Sequence, residues 1–279
     1  MATTWSPAAW VRTQSQTRTR LAGIRSLPWL AVAMPVGVLC LWQLASVTGA
    51  LPETSLPSAW EVLHEWASMV VTMPYWTGVW DTLSSALLGL VFVIPIGLVV
   101  GMLIGRVRFA RESSWLLIEF LKPIPPVAMI PLALLLWGPT STMKLILITF
   151  GALWPFLTQL VYGMSQVDTA ALKMSRSYRL GAWLTGTRVI LPSLLPFATT
   201  GIRVSASIAI IVSVVTELVG GANGLGRDIV LAQSANQLPE VYALILTTGV
   251  LGILVNTAFA LAEKPLLFWH PTHRSNADK

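Results

Sequence analysis

The stretch from Val167 to Pro192 reads VDTAALKMSRSYRLGAWLTGTRVILP and separates two long apolar runs. Its basic residues are Lys173, Arg176, Arg179 and Arg188. The apolar positions are only loosely periodic, which predicts a short helix, a break near Gly181 and a second turn that stops before Pro192. A polar, basic segment of this kind does not insert into a bilayer. It indicates a cytoplasmic loop, which any multi-spanning membrane protein contains, so composition alone leaves its role open.

The spacing of this loop resembles the signature of the permease subunits of ATP-binding-cassette importers. That signature reads Glu-Ala-Ala, three residues, Gly, nine residues, Ile, one residue, Leu-Pro. With Leu191-Pro192 as the anchor, Val189 falls on the Ile and Arg179 on the Gly. The Glu-Ala-Ala positions hold Lys173, Met174 and Ser175. The second half of the motif therefore matches, whereas the first half departs from it.

Two further stretches resemble the subgroup that imports aliphatic sulfonates, taurine, nitrate and similar small solutes. One is Ser-Arg-Ser-Tyr at 175–178, and the other is the proline-rich run at 122–132. The resemblance extends over roughly residues 51–263. In this family the loop forms a coupling helix that docks into a cleft of the ATPase subunit. The resemblance thus implies docking residues within 167–191, namely Asp168, Leu172, Lys173, Ser175, Arg176, Tyr178, Arg179 and Gly181, with Val189, Leu191 and Pro192 ending the motif.

The composition is that of an integral membrane protein. Hydrophobic residues make up 54% of the chain and charged residues only 11%, far from the balance of a soluble domain. The net charge of +6 comes from Lys and Arg that flank apolar runs, where they set orientation, so no nucleic-acid partner is expected. The single Cys40 lies within an apolar run and provides no disulfide framework.

Apolar runs predict six membrane-spanning helices, and hence an all-α membrane protein. The expected spans are about 27–47, 82–105, 115–137, 144–164, 192–215 and 239–262. The first span has the residue order of a signal peptide, but its length and the lack of a clear cleavage site favour a retained helix. The resemblance adds the type I ABC importer transmembrane fold.

The charge distribution places both termini in the cytoplasm. Residues 1–26 are expected to be a cytoplasmic segment, 48–81 an external segment with a surface helix, 82–263 a five-helix permease core, and 264–279 a cytoplasmic tail. The tryptophans of the surface helix are expected to be interface anchors, with a ligand box as the alternative. Lys144 falls on the outer side, as an exception to the positive-inside rule.

Two patterns within the spans bear on packing. Gly97, Gly101 and Gly105 recur every fourth residue, which predicts close approach of another helix. The third span is interrupted by prolines, including Pro126 and Pro131. Because prolines free backbone carbonyls, this span is expected to face protein or a water-lined path, and both prolines are candidate pathway residues.

Charged and glycine-rich positions near the fifth span complete the candidate set. Arg203 is expected to be an interface anchor, or alternatively to pair with a carboxylate. Glu217 lies at the far end of the same span. In the family, the Gly-Leu-Gly region that matches Gly224 to Gly226 begins a short, partly re-entrant helix near the solute path. Glu217, Gly224 and Gly226 are therefore candidate pathway or gate residues.

The sequence contains no phosphate-binding loop and no convincing pair of nucleophile and base. No catalytic, cofactor-binding or metal-binding residue is predicted, and the chain is not expected to be an enzyme. The resemblance implies a bacterial inner-membrane protein that works with two copies of an ATPase subunit, which bind ATP and Mg. It further implies a second permease copy, forming a homodimer in the expected case, and an external solute-binding protein. The alternative is a stand-alone ion-coupled secondary transporter that uses Glu217, Arg203 or Glu119.

Overall fold

The computed structural model describes residues 28–49, 55–106 and 108–267. The chain divides into two compact units, Met1–His64 and Glu65–Lys279. The expected cytoplasmic segment 1–26 and most of the expected tail 264–279 lie outside the described residues. Eleven α-helices occur in the described part: α1 Pro28–Val47, α2 Ala59–Val70, α3 Met73–Arg106, α4 Arg108–Leu121, α5 Ile130–Trp137, α6 Ser141–Ser165, α7 Thr169–Ser177, α8 Ala182–Thr185, α9 Leu191–Gly220, α10 Leu225–Ser234 and α11 Leu238–Leu266.

The first unit contains α1 and the start of α2. The indole Nε1 of Trp42 donates a hydrogen bond to the carbonyl of Pro57 at 3.0 Å. A capping box starts α2: the amide of Glu61 donates to Ser58 Oγ, and Glu61 Oε2 accepts from the amide of Ser58. This fixes the beginning of the helix that the sequence predicted after Pro57.

Helices α3, α6 and α9 form the core of the second unit. Phe156 of α6 is completely buried and packs between two glycines, Gly97 of α3 and Gly201 of α9. A Cβ at Gly101 would lie 3.0 Å from Leu160 Cβ, and one at Gly105 would lie 2.5 Å from Met164 Cγ. The predicted glycine stripe is therefore confirmed as the surface on which α3 meets α6.

Four segments of the described chain are long and apolar enough to cross a membrane: Met73–Gly105, Ser141–Ser165, Ala182–Ser234 and Leu238–Pro265. A fifth span results if Glu112–Leu121 and Pro126–Trp137, which meet at a bend of 73°, count as one. Helix α1 occupies the position of the predicted first span, with a shorter apolar stretch at Ala33–Val47. Five of the six predicted spans are thus long enough, one of them only as a broken pair.

The bend between α4 and α5 follows from the prolines that the sequence places there. Helix α4 ends at Leu121, and a short 3₁₀ helix at Pro126–Met129 leads into α5. Helix α5 buries Ile130 and Ala133 against the core, whereas Leu135 is exposed.

The connection from the loop that follows α6 into α9 differs from the prediction of a turn that stops before Pro192. Helix α8 continues through a π-helical turn at Gly186–Ile190 directly into α9. The amide of Leu191 donates to the carbonyl of Gly186, five residues earlier. This wider turn moves the carbonyls away from their α-helical positions, so that Pro192 fits into the first turn of α9 without ending the helix.

Candidate functional sites: the coupling segment and a buried charge network

The loop between α6 and α9, residues 167–191, is here named the coupling segment. Its first helix, α7, is capped by Asp168, whose Oδ1 accepts a hydrogen bond from the amide of Ala170 at 2.7 Å. The helix ends where Arg179 adopts a left-handed conformation, with φ of 51°. The amide of Leu180 then donates to the carbonyl of Ser175 at 2.9 Å, which closes the helix in the manner of a Schellman motif. The motif spacing places Arg179 on the family's glycine. Glycine is the residue that adopts the left-handed conformation at the lowest cost.

The coupling segment exposes large side chains. Tyr178 is 75% exposed, Trp183 is 79% exposed and Met174 is 58% exposed. Among the predicted docking residues, Asp168, Lys173, Arg176, Tyr178, Arg179 and Gly181 are exposed. The result is a basic surface with aromatic side chains, a composition typical of a protein interface.

Other predicted residues of the segment lie on its inner side. Ser175 is buried, and its hydroxyl donates to the carbonyl of Leu172 at 2.9 Å. Leu172 is half-buried and, together with Ile190, lines a cavity of about 760 Å³ that also reaches Met102 and Met164 in α3 and α6. Val189 is half-buried at the entry to α9, where Leu191 and Pro192 are exposed. The segment therefore presents one face to solvent and one to the helical core.

A second candidate site lies at the other end of α6, about 30 Å from the coupling segment at 1.5 Å per helical residue. Here Lys144 and Glu217 form an ion pair, with Nζ and Oε1 2.6 Å apart and with 2% and 0% of their side chains exposed. The ammonium group also donates to the carbonyls of Asn223 at 2.8 Å and Asp81 at 3.2 Å. Its three N–H donors therefore have three acceptors.

The carboxylate of Glu217 is equally well bonded. Its Oε1 accepts from Lys144 and from the hydroxyl of Ser213 at 3.0 Å. Its Oε2 accepts from the hydroxyl of Thr82 at 2.9 Å and from the amide of Gly226 at 3.0 Å. The amide of Leu225 donates to Thr82 Oγ1 at 3.0 Å, so the network ties α3, α6 and α9 to the start of α10.

Two positions beside this network require glycine, because a side chain there would collide with neighbouring atoms or strain the backbone. Gly224 has φ of 141°, and a side chain on it would collide with the carboxylate of Glu217. A Cβ on Gly226 would collide with the carbonyl of Val214 and would lie 2.7 Å from Glu217 Cβ. Together they let the start of α10 approach α9 closely enough for backbone amides to reach a buried carboxylate.

The structure brings three of the five predicted pathway residues together and leaves two elsewhere. Glu217, Gly224 and Gly226 meet in the network. Pro126 packs against Gly151 of α6, where it would lie 2.7 Å from an added Cβ, and Pro131 is exposed in the first turn of α5.

Lys144, Thr82 and Ser213 were not among the predicted site residues. The sequence contains one signal for Lys144, an isolated positive charge near the start of an apolar run. The pattern of predicted spans places this residue on the outer side and assigns it no partner. A charged residue inside an apolar segment generally pairs with an opposite charge, and Glu217 is a carboxylate that Lys144 can pair with. Because the hydrogen-bonding capacity of Glu217 is filled, the pairing argues against this carboxylate as a site for ion coupling.

Arg203 was expected to be an anchor or to pair with a carboxylate, and the structure shows the pair. Its Nη1 lies 3.6 Å from Oε2 of Glu263, and Thr199 Oγ1 donates to Oε1 of the same carboxylate at 3.3 Å. The pair joins α9 to α11 between the network and the coupling segment. Among the residues that the structure describes, no group of three or more His, Cys, Asp or Glu has a geometry that could hold a metal ion.

Comparison with known proteins agrees with these features. The family described as "Binding-protein-dependent transport system inner membrane component" matches residues 93–264. The putative aliphatic sulfonates transport permease SsuC of Escherichia coli (strain K12) is 28% identical over 253 residues, covering 90% of this chain and 94% of its own. The nitrate import permease NrtB of Synechocystis sp. (strain ATCC 27184 / PCC 6803 / Kazusa) is 25% identical over 243 residues, covering 84% and 86%.

A solved structure shows the same fold. The MetNI methionine ABC transporter, in an inward-facing conformation, superimposes with a TM-score of 0.61 at 20% identity, over 70% of this chain and 99% of that one. The apolar helices define a multi-pass membrane protein, and the matching family and relatives define its class as a membrane transport subunit. The chain belongs to the family of binding-protein-dependent transport system inner membrane components, the permeases of ABC importers.

Proposed function

We propose that this chain is the bacterial inner-membrane permease of an ABC importer in which the coupling segment docks onto a separate ATPase subunit. The observation that carries the proposal is the exposed surface formed by Tyr178, Trp183 and the basic side chains around them. Aromatic and Arg side chains exposed on one short segment are the side chains that most often dominate binding energy at protein interfaces.

The proposed complex contains two permease copies, as a homodimer, and two ATPase copies, which bind ATP and Mg and carry the hydrolytic activity. Both chain termini lie in the cytoplasm, on the side of the coupling segment. An external solute-binding protein delivers solute at the opposite end, near the Lys144–Glu217 network. ATP binding closes the ATPase dimer and draws the two coupling segments together, which biases the permease towards its outward-facing state.

The proposed solute is a small oxyanion, such as a sulfonate or nitrate. Relatives that align over most of their length are named for sulfonates, nitrate and bicarbonate, and each of these carries negative charge on oxygen. Solute selection is proposed to lie largely with the external binding protein.

The docking surface is tested by co-purification. The tagged chain is expressed with its ATPase and extracted in mild detergent, and the ATPase recovered is measured for wild type and for a variant with Arg176→Glu and Tyr178→Ala. We expect the variant to lose most of the ATPase, because it removes an aromatic anchor and reverses a charge. The control is Arg227→Glu, an exposed Arg at the opposite end of the bundle. Equal recovery of ATPase with all three proteins would overturn the docking assignment.

A further inference from the structure

A groove of about 540 Å³ runs between α9 and α11. Its polar and small lining residues are Ser207 on α9 and Thr248, Gly249, Gly252 and Asn256 on α11. On α11 the spacing from 248 or 249 to 252 and 256 keeps these residues on one helix face. The rest of the lining is aliphatic, and no carboxylate occurs among the described residues that line the groove.

The glycines of this groove differ from those in the helical core. Gly97 and Gly201 contact Phe156, whereas a Cβ added at Gly249 or Gly252 would meet nothing within 4 Å. These two glycines therefore do not serve close packing within the chain. Their effect is to leave open space between α9 and α11.

Asn256 faces this space from within a membrane span. It lies inside the apolar segment Leu238–Pro265 and is exposed, and its side-chain amide has no hydrogen-bond partner among the described residues. A polar group facing hydrocarbon without a partner is costly, so such residues face protein or water in membrane proteins. The groove is accordingly not a lipid-facing surface.

An ion pair, Arg203 with Glu263, lies at one end of the same two helix faces. Arg203 precedes Ser207 by one helical turn, and Ser207 Oγ donates to its carbonyl at 3.3 Å. Glu263 follows Asn256 by two turns on α11. The Arg203 side chain is 40% exposed and approaches Glu263 only at 3.6 Å. A guanidinium group has five N–H donors, so this single approach leaves donors for a further acceptor.

We propose that the groove between α9 and α11 is the solute-binding surface of this permease, and that it takes a small oxyanion. This proposal rests on the function proposed above, and it specifies where the solute passes. The amide of Asn256 donates hydrogen bonds to the anion oxygens. The hydroxyls of Ser207 and Thr248 donate within their own helices to the carbonyls of Arg203 and Ile245, and each turns its single proton to the anion when solute is bound. Arg203 offers the N–H donors that its pair with Glu263 leaves unused, at the end of the groove that leads towards the coupling segment. Gly249 and Gly252 provide the room. Glu263, the carboxylate at that end of the two helices, is paired with Arg203 and does not line the groove.

The proposal is tested on the complex with its ATPase, reconstituted into liposomes. In a Cys40→Ser background, Asn256→Cys is treated with a membrane-impermeant, sulfonate-bearing thiol reagent, with and without nitrate or methanesulfonate. The matched control is Leu254→Cys, which is on the same helix and 60% exposed but does not line the groove. We expect labelling at position 256 that either oxyanion slows about tenfold and chloride does not, and no labelling at position 254.

A second variant measures transport. Asn256→Leu keeps the side-chain size and removes the amide, and we expect ATP-dependent uptake of the oxyanion to fall about tenfold while ATPase recovery is unchanged. Thr257→Val, the neighbouring polar residue outside the groove, serves as the control.

Two outcomes would overturn the proposal. One is labelling of the Asn256→Cys variant that neither anion slows. The other is a disulfide between two copies carrying Gly252→Cys, combined with no labelling of the Asn256→Cys variant, because a second copy would then cover the groove. Loss of the ATPase from the wild-type complex contradicts instead the proposed function, which separates the two failures.

Discussion

Nζ of Lys144 and Oε1 of Glu217 lie 2.6 Å apart in a part of the bundle where almost none of either side chain is exposed. The two residues belong to α6 and α9. They bond the backbone of Asp81 in α3, of Asn223 in the turn before α10 and of Gly226 at the start of α10. The pair thus connects two deeply packed helices to a short polar helix at that end of the protein. Hydrogen bonds from a buried ion pair fix the position of this turn, together with the apolar packing of Ala222 and Leu225.

Removal of Lys144 is expected to be severely destabilising. Lys144→Met leaves the Glu217 carboxylate buried without its cation, and loss of one partner of a buried pair costs about 3–5 kcal/mol. The double variant Lys144→Met with Glu217→Met should recover most of this loss, since no charge is then left unpaired. The melting temperature of purified protein in detergent measures both effects. Lys173→Met, at an exposed position of α7, is the control and should melt close to wild type.

Substitution of Gly226 tests the close approach of α10 to α9. Gly226→Ala places a methyl group against the carbonyl of Val214 and 2.8 Å from the amide nitrogen of Leu218, both of which are backbone atoms that cannot rotate away. We expect a loss of about 1–3 kcal/mol, typical of overpacking. Gly37→Ala in α1 meets nothing within 4 Å and should cost no stability. Equal melting temperatures for the two variants would contradict the assigned role of Gly226.

The contact between Gly97 and Phe156 is expected to behave as a coupled pair. Gly97→Ala alone pushes the backbone of α3 away from the ring of Phe156, and should lower stability by about 1–3 kcal/mol. With Phe156→Leu as a second change, part of the penalty should disappear because the smaller side chain gives room. A double-mutant cycle on melting temperatures measures this coupling, and strict additivity would show that the two positions do not interact.

Arg179 is expected to tolerate glycine better than its neighbours do. Arg179→Gly relieves a left-handed conformation that costs an L-residue about 1–2 kcal/mol, and should raise or maintain the melting temperature. Arg176→Gly, in the last turn of α7, should instead lower stability by about 1 kcal/mol. ATPase recovery with the Arg179 variant reports separately whether the guanidinium group contributes to docking. A lower melting temperature for Arg179→Gly than for Arg176→Gly would contradict the conformational argument.

The positions of the helices could be predicted largely from hydrophobic runs, because their length and composition are local properties of the sequence. The glycine stripe at Gly97, Gly101 and Gly105 also specified a helix contact correctly. The same information did not show that Pro192 lies within a continuous helix. That outcome depends on a π-turn whose hydrogen bond, from Leu191 to Gly186, no propensity scale records.

The candidate sites were predictable to different degrees. The coupling segment could be located by charge and spacing. Which of its side chains are exposed could not be predicted, because the first half of the family motif is not matched at Lys173. The network around Glu217 required tertiary information, since Thr82, Lys144 and Ser213 come from three separate helices. The groove at Asn256 is likewise a feature of how α9 and α11 are placed, and a single Asn in an apolar run does not reveal it.

The π-turn at Gly186–Ile190 also sets the angular phase between the coupling segment and α9. A helical residue advances the chain by about 100°, and a π-turn accommodates one residue more than the α-helix around it. Removal of one residue there would rotate α8, including the exposed Trp183, by about that angle relative to α9. The direction in which Trp183 faces relative to α9 is thus set by one additional residue. Because α8 continues into α9 without a break, a displacement of α8 moves α9 with it.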